Sequence, residues 1–239
     1  MKKKYEGVVF DADHTLLNYI ADEKSAFARL YAYMGTPFDE ELWQASRRAS
    51  EETWTDAGMY DVTDPRVQAR YHEVYRTHVE DIFKRLFLEF PRLQGKITPK
   101  HAGEIFLENL EAGGETLEGA TELLQTLSKN YSLYIATNGL SVIQRGRLRE
   151  IKRYFQGLYI SEEVGAIKPA PAFFLRILKD TGLRAEALLM VGDSLTSDIA
   201  GANGVGVDGC WYNPRAVENK SGICPKYEIR FLGDLTEIL

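Results

Sequence analysis

The chain has 239 residues, of which 44% are hydrophobic and 27% are charged, and its formal net charge is −6. This length is enough for one large domain or for a domain that carries an insertion. The acidic balance argues against binding to nucleic-acid polymers or to an anionic membrane surface, but it leaves a small phosphorylated molecule open as a ligand.

Cysteine content and apolar runs indicate the compartment. The two cysteines, Cys210 and Cys224, are too few for a disulfide framework, so we expect a reduced, cytoplasmic setting. The apolar run behind the N-terminal lysines stops at Asp11, which is too short for the hydrophobic part of a signal peptide. No apolar stretch approaches the roughly 20 residues that a membrane-spanning helix needs, so no membrane partner is expected.

The first predicted elements are a strand and a long helical block. The apolar run at residues 8–10 predicts a buried strand. Residues 18–113 then show helical periodicity, and Asp64-Pro65 and Thr98-Pro99 each combine a helix N-cap with a proline in the first turn. We interpret this block as a helical cap domain inserted after the first strand.

From residue 114 onward, strand patterns alternate with helix patterns. A basic helix is predicted from Ser141 to about Tyr154, with solvated arginines on one face and Val142, Leu148 and Ile151 pointing inward. The predicted strands lie at residues 131–136, 158–160 and 188–191, with weaker ones at 205–207 and 227–229. Such alternation predicts crossover connections and an α/β fold with a doubly wound parallel sheet, built from residues 1–17 and 114–239.

Carboxylates follow two of the predicted strands. Asp11 and Asp13 come directly after the first strand, and Asp193 follows the strand at 188–191. In an open parallel sheet, ligands bind at the edge formed by the carboxyl ends of the strands. Carboxylates that meet there repel one another unless a cation lies between them. Mg²⁺, which prefers oxygen ligands and shares them with substrate phosphates, is the simplest such cation.

Four motifs occur in a recognisable order along the chain: Asp11-x-Asp13-x-Thr15, Thr137, Lys168-Pro169, and Gly192-Asp193 with Asp198 behind it. In this order the chain resembles the haloacid dehalogenase-like (HAD) superfamily of phosphohydrolases with a helical cap of the C1 type. Residues 161–165 and 210–213 look most like the pyrimidine 5′-nucleotidases of that superfamily. His14 is a departure, because many superfamily members have glycine at this position.

The resemblance implies three catalytic residues. Asp11 would be the nucleophile that forms an aspartyl phosphate. Asp13 would act as general acid and then as general base, and it would also ligate Mg²⁺ through its backbone carbonyl. Lys168 would neutralise charge on Asp11 and on the transferring phosphoryl group.

The resemblance also implies binding and supporting residues. Thr137 and Asn138 would bind the substrate phosphate at a helix N-terminus. The implied Mg²⁺ ligands are Asp11, Asp13 and Asp193. Thr15 would help to hold Asp13. The role of Asp198 stays open among holding a metal-bound water, orienting Lys168, and serving as a helix N-terminal carboxylate.

The function expected from these residues is hydrolysis of a phosphomonoester. Asp13 favours phosphate esters, because family members that displace halide lack an acid at this position. The preferred substrate is a nucleoside 5′-monophosphate with a pyrimidine base. A phosphatase or phosphomutase for a sugar phosphate or another small metabolite remains an alternative, as does, more remotely, a non-catalytic binding module. The sequence does not indicate the oligomeric state.

Overall fold

The computed structural model describes residues 5–239 of the chain. Within these residues the sheet has six strands, all of them paired in parallel. The strands are β1 (Gly7–Phe10), β2 (Ser132–Thr137), β3 (Gly157–Ile160), β4 (Leu188–Gly192), β5 (Asp208–Tyr212) and β6 (Tyr227–Ile229).

Helices lie between and after these strands in the sequence. The α-helices are α1 (Tyr19–Tyr33), α2 (Glu40–Asp56), α3 (Pro65–Glu89), α4 (Pro99–Glu111), α5 (Ala120–Leu127), α6 (Ser141–Arg147), α7 (Ser161–Val164), α8 (Pro171–Thr181), α9 (Ala200–Asn203) and α10 (Leu235–Ile238). None of the helices in residues 5–239 combines the length and the apolar composition needed to cross a membrane.

The strand order of the sheet determines where a ligand can bind. The order is β3-β2-β1-β4-β5-β6, so β1 lies between β2 and β4. Successive strands run outward from β1 on one side and from β4 on the other, which makes the β1–β4 pair the topological switch point. Phe10 pairs with Val191 in register, so the residues after β1 and β4 emerge side by side. The predicted fold class is confirmed.

Both faces of the sheet are covered, which explains the continuous apolar runs of its central strands. Val8 and Phe10 pack on one face with Leu124 of α5. Val9 packs on the opposite face with Phe173 of α8. Side chains alternate between the faces of a strand, so a strand buried on both sides needs an apolar residue at every position.

The chain divides into two compact units. The core unit comprises the described residues up to Asn18, together with Thr116–Ser141 and Leu148–Leu239, and it contains the sheet. The helical unit comprises Tyr19–Glu115 and Val142–Arg147. The predicted cap at residues 18–113 overlaps the first segment of the helical unit, whereas nothing in the sequence analysis indicated the second.

Local signals start the helices of the helical unit where they were predicted. The Asp64 side chain accepts a hydrogen bond from the Arg66 backbone N–H, and the next residue, Pro65, begins α3. Thr98 caps α4 in the same way. The interior of the unit is aromatic, with ring centroids of Phe27 and Phe106 only 4.5 Å apart.

The predicted basic helix at 141–154 is wrong in its length and in the placement of Arg147 and Val142, whereas Arg145, Arg149, Lys152 and Arg153 are exposed as predicted. Helix α6 ends at Arg147, and a separate turn of 3₁₀-helix follows at Lys152–Tyr154. The Arg147 side chain is only 1% exposed, whereas Val142, expected to point inward, is 56% exposed. Arg147 is buried because its side chain pairs with Asp22 within the helical unit.

The weak strand predicted near residues 205–207 is present as β5 but is displaced along the chain, since residues 205 and 206 form a turn and the strand begins at Asp208. Gly206 has a φ of +80°, a left-handed backbone conformation that cannot continue a strand. The predicted strand at 227–229 is confirmed as β6.

Candidate active site

The loop after β1 presents the first two carboxylates. Asp11 continues the strand, since its backbone N–H donates to the carbonyl of Val191 at 2.9 Å. The chain then turns tightly around the carbonyl of Ala12, which accepts hydrogen bonds from the next residues, including Leu17 at 2.8 Å. Within this turn His14 has a φ of 61°, in the region where glycine is the usual residue. Asp13 lies on the same turn and is half-buried.

Lys168 brings the motifs together at one buried point. Its Nζ atom donates to Oδ1 of Asp11 at 2.6 Å, to Oδ1 of Asp198 at 2.6 Å and to the carbonyl of Ala136 at 2.7 Å. The Lys168 residue is 2% exposed. A buried ammonium group needs such partners, because an unpaired charge in this position would be very costly.

The side chain of Asn138 holds the backbone of Lys168. Its Oδ1 accepts from the Lys168 backbone N–H at 2.8 Å, and its Nδ2 donates to the Lys168 carbonyl at 3.0 Å. The amide therefore binds both backbone polar groups of Lys168, as a neighbouring β-strand would. This geometry favours a positioning role for the side chain over the phosphate contact that the sequence implied. The neighbouring Thr137 lies at the end of β2 and is 1% exposed.

Asp193 and Asp198 flank the turn that follows β4. The backbone N–H of Asp193 donates to Oγ1 of Thr15 at 3.1 Å, so Thr15 ties the two strand-end loops together. Asp198 is fully buried, and its second carboxylate oxygen accepts from the Ser194 backbone N–H at 3.0 Å. A Cβ at Gly192 would collide with the Asp198 carboxylate, so only glycine allows this close approach.

The buried carboxylates hold their protons more tightly than exposed ones do. Burial raises the pKa of Asp11 to about 7, with Lys168 opposing the shift and Asp198 adding to it. Burial and then the charge of Asp11 raise the pKa of Asp193 to about 7. Burial also raises the pKa of Asp198. Burial alone would lower the pKa of Lys168, but the charges of Asp11 and Asp198 outweigh it and raise that pKa.

This carboxylate group fits a divalent cation. One oxygen from each of Asp11, Asp193 and Asp198 lies within 4.8 Å of the others. All three of these ligand atoms are carboxylate oxygens, the ligand type that Mg²⁺ prefers. Three carboxylates face one ammonium group, so the ionised cluster carries excess negative charge that a cation would balance. Both carboxylate oxygens of Asp198 are already bound, one by Lys168 and the other by the Ser194 backbone N–H, which favours Asp11 and Asp193 as the carboxylate ligands.

The structure thus joins Asp11, Asn138, Lys168 and Asp198 in one hydrogen-bonded network and places Asp193, which is bound to Thr15, beside it, with Asp13 and Thr137 on the same loops. For Asp198, the contact to Lys168 matches one of the three roles left open. Sequence reasoning missed Trp211, whose indole Nε1 donates to the Asp193 carbonyl at 2.8 Å. The tryptophan had been noted only as a marker of resemblance, because a contact across two strands leaves no local signal.

Comparisons with known proteins identify the family of this chain. Residues 5–206 match the family model of haloacid dehalogenase-like hydrolases. The chain is 33% identical to pyrimidine 5′-nucleotidase PynA of Streptococcus pneumoniae, covering 98% of this chain and 95% of that protein. It is 29% identical to pyrimidine 5′-nucleotidase YjjG of Escherichia coli, covering 99% and 98%.

Among solved structures, the HAD-hydrolase YfnB from Bacillus subtilis, which was solved bound to magnesium, is similar over 99% of both chains with a TM-score of 0.82 and 30% identity. The family model accounts for the whole run of motifs from Asp11 to Asp198, and the nucleotidase relatives align over nearly the full length. The chain therefore belongs to the haloacid dehalogenase-like hydrolase family.

Proposed function

We propose that this protein is a Mg²⁺-dependent phosphatase that hydrolyses nucleoside 5′-monophosphates, preferably those with a pyrimidine base, through an aspartyl phosphate on Asp11. The observation that carries the proposal is the Lys168 ammonium group, which contacts both Asp11 and Asp198 beside Asp193. This arrangement holds one carboxylate at the switch point of the sheet, next to a positive charge and a cation-binding pair of oxygens.

The first half of the reaction transfers the phosphoryl group to the protein. An oxygen of the Asp11 carboxylate attacks phosphorus, and the bond from phosphorus to the 5′ oxygen of the nucleoside breaks. The carboxylic acid of Asp13 gives its proton to that departing oxygen, which leaves as an alcohol. Lys168 stabilises the negative charge that spreads over the transferring group.

The second half releases phosphate. Asp13, now a carboxylate, takes a proton from a water molecule whose oxygen attacks the phosphorus of the aspartyl phosphate. The phosphorus–oxygen bond to Asp11 breaks, inorganic phosphate leaves, and both carboxyl groups return to their starting state. When bound to Asp11, Asp193 and the Asp13 carbonyl, Mg²⁺ would supply positive charge that keeps Asp11 ionised and polarises the phosphoryl group.

The raised pKa of Asp11 supports the proposed need for a cation at neutral pH. With a pKa of about 7, a substantial fraction of Asp11 is protonated near pH 7, and a carboxylic acid is a poor nucleophile. Added positive charge next to the carboxylate lowers its pKa and restores the reactive form. Lys168 alone leaves the pKa raised, so a second cation completes the site.

The preference for pyrimidine nucleotides is supported by two relatives described as pyrimidine 5′-nucleotidases, which are 33% and 29% identical to this chain. Within the family the shared core chemistry does not choose the leaving group, so fold alone gives no substrate. The full-length alignment, which includes the helical unit as well as the core unit, is what supports a substrate in common with these relatives.

The proposal is tested by phosphate release from a panel of phosphomonoesters, each with Mg²⁺ and with EDTA. The panel contains dUMP, dTMP, UMP, purine monophosphates and hexose phosphates. We expect release that depends on Mg²⁺ and is fastest with the pyrimidine monophosphates. The Asp11→Asn variant is the matched control, and it should lose about 10³-fold or more of the rate.

The outcomes separate the parts of the proposal. Mg²⁺-dependent release that is fastest with hexose phosphates would keep the mechanism and overturn the nucleotide preference. Full activity in EDTA would overturn the metal requirement, and full activity of Asp11→Asn would overturn the covalent intermediate. Interconversion of sugar phosphates without net release of phosphate would identify a phosphomutase instead.

A further inference from the structure

Both backbone polar groups of Asp193 are bound by side chains from other parts of the sheet. Its N–H donates to Oγ1 of Thr15, and its carbonyl accepts from Nε1 of Trp211 at 2.8 Å. Thr15 is fully buried, and Trp211 is 6% exposed. Asp193 comes directly after β4, at the point where the chain leaves the sheet and is no longer held by strand pairing.

The position of Trp211 follows from the register of two neighbouring strands. On β5, Trp211 pairs with Gly192, the last residue of β4, so its indole lies beside the first residue after that strand. A buried indole N–H requires an acceptor, and a carbonyl freed by the end of a strand requires a donor. The Trp211 contact satisfies both groups at once.

The two hydrogen bonds, one to the N–H and one to the carbonyl of Asp193, limit the rotation of the peptide groups on either side of this residue. The carboxylate of Asp193 then has little freedom beyond its own side-chain torsions. A ligand that is held in place before the metal arrives loses less entropy on binding, and partners that orient a metal ligand typically change metal affinity by about 10- to 100-fold.

We propose that Trp211 is a positioning residue for Asp193 and that its indole N–H sets the affinity of the site for Mg²⁺. The inference rests on the cation site of the proposed function, but it does not depend on which phosphate ester is the substrate. Trp211 acts on the reaction through Asp193. Its own ring is almost entirely buried, which leaves little surface for stacking on a nucleobase.

The first test replaces Trp211 by Phe, which keeps an aromatic ring and removes the N–H donor. We expect the Mg²⁺ concentration that gives half-maximal activity to rise about tenfold, while kcat at saturating Mg²⁺ stays within about threefold of the unmodified protein. Trp54→Phe, in the helical unit, is the matched control and should leave the Mg²⁺ requirement unchanged. An unchanged requirement in Trp211→Phe would overturn the inference, as would a fall in kcat alone.

The second test observes the site without catalysis and keeps Trp211 intact. The chain has three tryptophans, so a Trp43→Phe/Trp54→Phe variant reports on Trp211 alone. Titration with MgCl₂ should change its fluorescence with the same half-saturation as the activity, and EDTA should reverse the change. Adding Asp193→Asn to this variant should abolish the response. A fluorescence that does not respond to Mg²⁺ would overturn the inference.

The two tests also separate this inference from the proposed function. A Mg²⁺-dependent fluorescence change in a protein that releases no phosphate from nucleotides would support the role of Trp211 and overturn the substrate. Nucleotide hydrolysis with a Mg²⁺ requirement that Trp211→Phe leaves unchanged would do the opposite.

Discussion

The ammonium group of Lys168 uses all of its donors within the protein. An ammonium group has three N–H bonds, and the three observed acceptors are Asp11, Asp198 and the Ala136 carbonyl. In this arrangement no donor is left for a fourth acceptor. In the proposed reaction Lys168 would therefore act on a phosphoryl group at Asp11 mainly as a fixed positive charge, which Asp198 helps to hold in place.

Also at the scale of single residues, the proposed role of Asp13 can be tested by comparing substrates that differ in their leaving group. Asp13→Asn removes the proton that the departing oxygen needs, so nucleotides and other alkyl phosphates should be hydrolysed about 10²- to 10⁴-fold more slowly. An aryl phosphate such as p-nitrophenyl phosphate leaves without help and should lose much less. Steady-state rates on both substrates measure the difference, and equal losses would contradict the general-acid role.

Asn138→Ala distinguishes a positioning role from a phosphate contact. The variant removes both hydrogen bonds to the Lys168 backbone, so kcat should fall by about 10- to 100-fold as Lys168 shifts, with KM changed little. A side chain that bound the phosphate equally in the ground and transition states would instead raise KM and leave kcat unchanged. Asn219→Ala, at an exposed position of the same unit, is the control and should keep both constants.

At the scale of elements, a buried ion pair lies at the end of α6. Nε and Nη2 of Arg147 both lie 2.8 Å from Oδ2 of Asp22, and the other Asp22 oxygen accepts from the backbone N–H groups of Gly114 and Glu115. Nη1 of Arg147 donates to Gln144 at 3.2 Å. The carboxylate thus joins the start of α1, the segment after α4 and the end of α6 within the helical unit.

Removing the arginine would leave the Asp22 charge buried without its cation. Arg147→Met keeps the length of the side chain, and we expect it to reduce the free energy of unfolding by about 3–5 kcal/mol. The matched control is Arg149→Met, two residues later, where the side chain is exposed and the change should stay within about 0.5 kcal/mol. Urea unfolding of the two variants measures both values. Equal stabilities would show that the Asp22 pair contributes nothing.

The elements also show what a sequence can predict. Asp64-Pro65 and Thr98-Pro99 are local signals, and the helices begin where these pairs predict. Arg147 could not be placed in this way, because its partner Asp22 is 125 residues distant in sequence and a basic residue in a helix is usually solvated. Asn138 shows the same limit, because its contact to Lys168 depends on how the end of β2 packs against the distant segment that contains Lys168.

At the scale of the whole molecule, the sheet brings together charged residues that are distant in the sequence. Asp11 and Asp193 are far apart in the chain, yet the parallel pairing of β1 with β4 brings their strand ends together. Burial raises the pKa values of Asp11 and Asp193, so we expect the stability of the protein to depend on protonation of these two residues. The overall charge of −6 does not indicate this dependence. Folding and the proposed catalysis would therefore be in conflict in the metal-free protein, because burial favours the protonated Asp11 carboxyl whereas the proposed nucleophile is the carboxylate.

That conflict predicts how stability depends on pH. In EDTA, the free energy of unfolding should fall as the pH rises from about 4 to about 7. Burial raises the pKa of Asp11 and Asp193 from 3.8 to about 7, so over this range the native state keeps protons that the unfolded chain has released. Stability decreases with pH wherever the native state binds more protons. Glu23 in the helical unit, whose pKa burial raises to about 7, contributes with the same sign.

Thermal unfolding at pH 5 and pH 8, each with EDTA and with Mg²⁺, measures this effect. We expect the midpoint in EDTA to be lower at pH 8, and Mg²⁺ to raise it more at pH 8 than at pH 5, because the cation binds the ionised carboxylates. The Asp11→Asn/Asp193→Asn variant should lose the response to Mg²⁺ and the part of the pH dependence due to these two residues, leaving the part due to Glu23 and Asp198. A midpoint in EDTA that rises between pH 5 and pH 8 would contradict the raised pKa values, since carboxylates with ordinary values would already be ionised in both states.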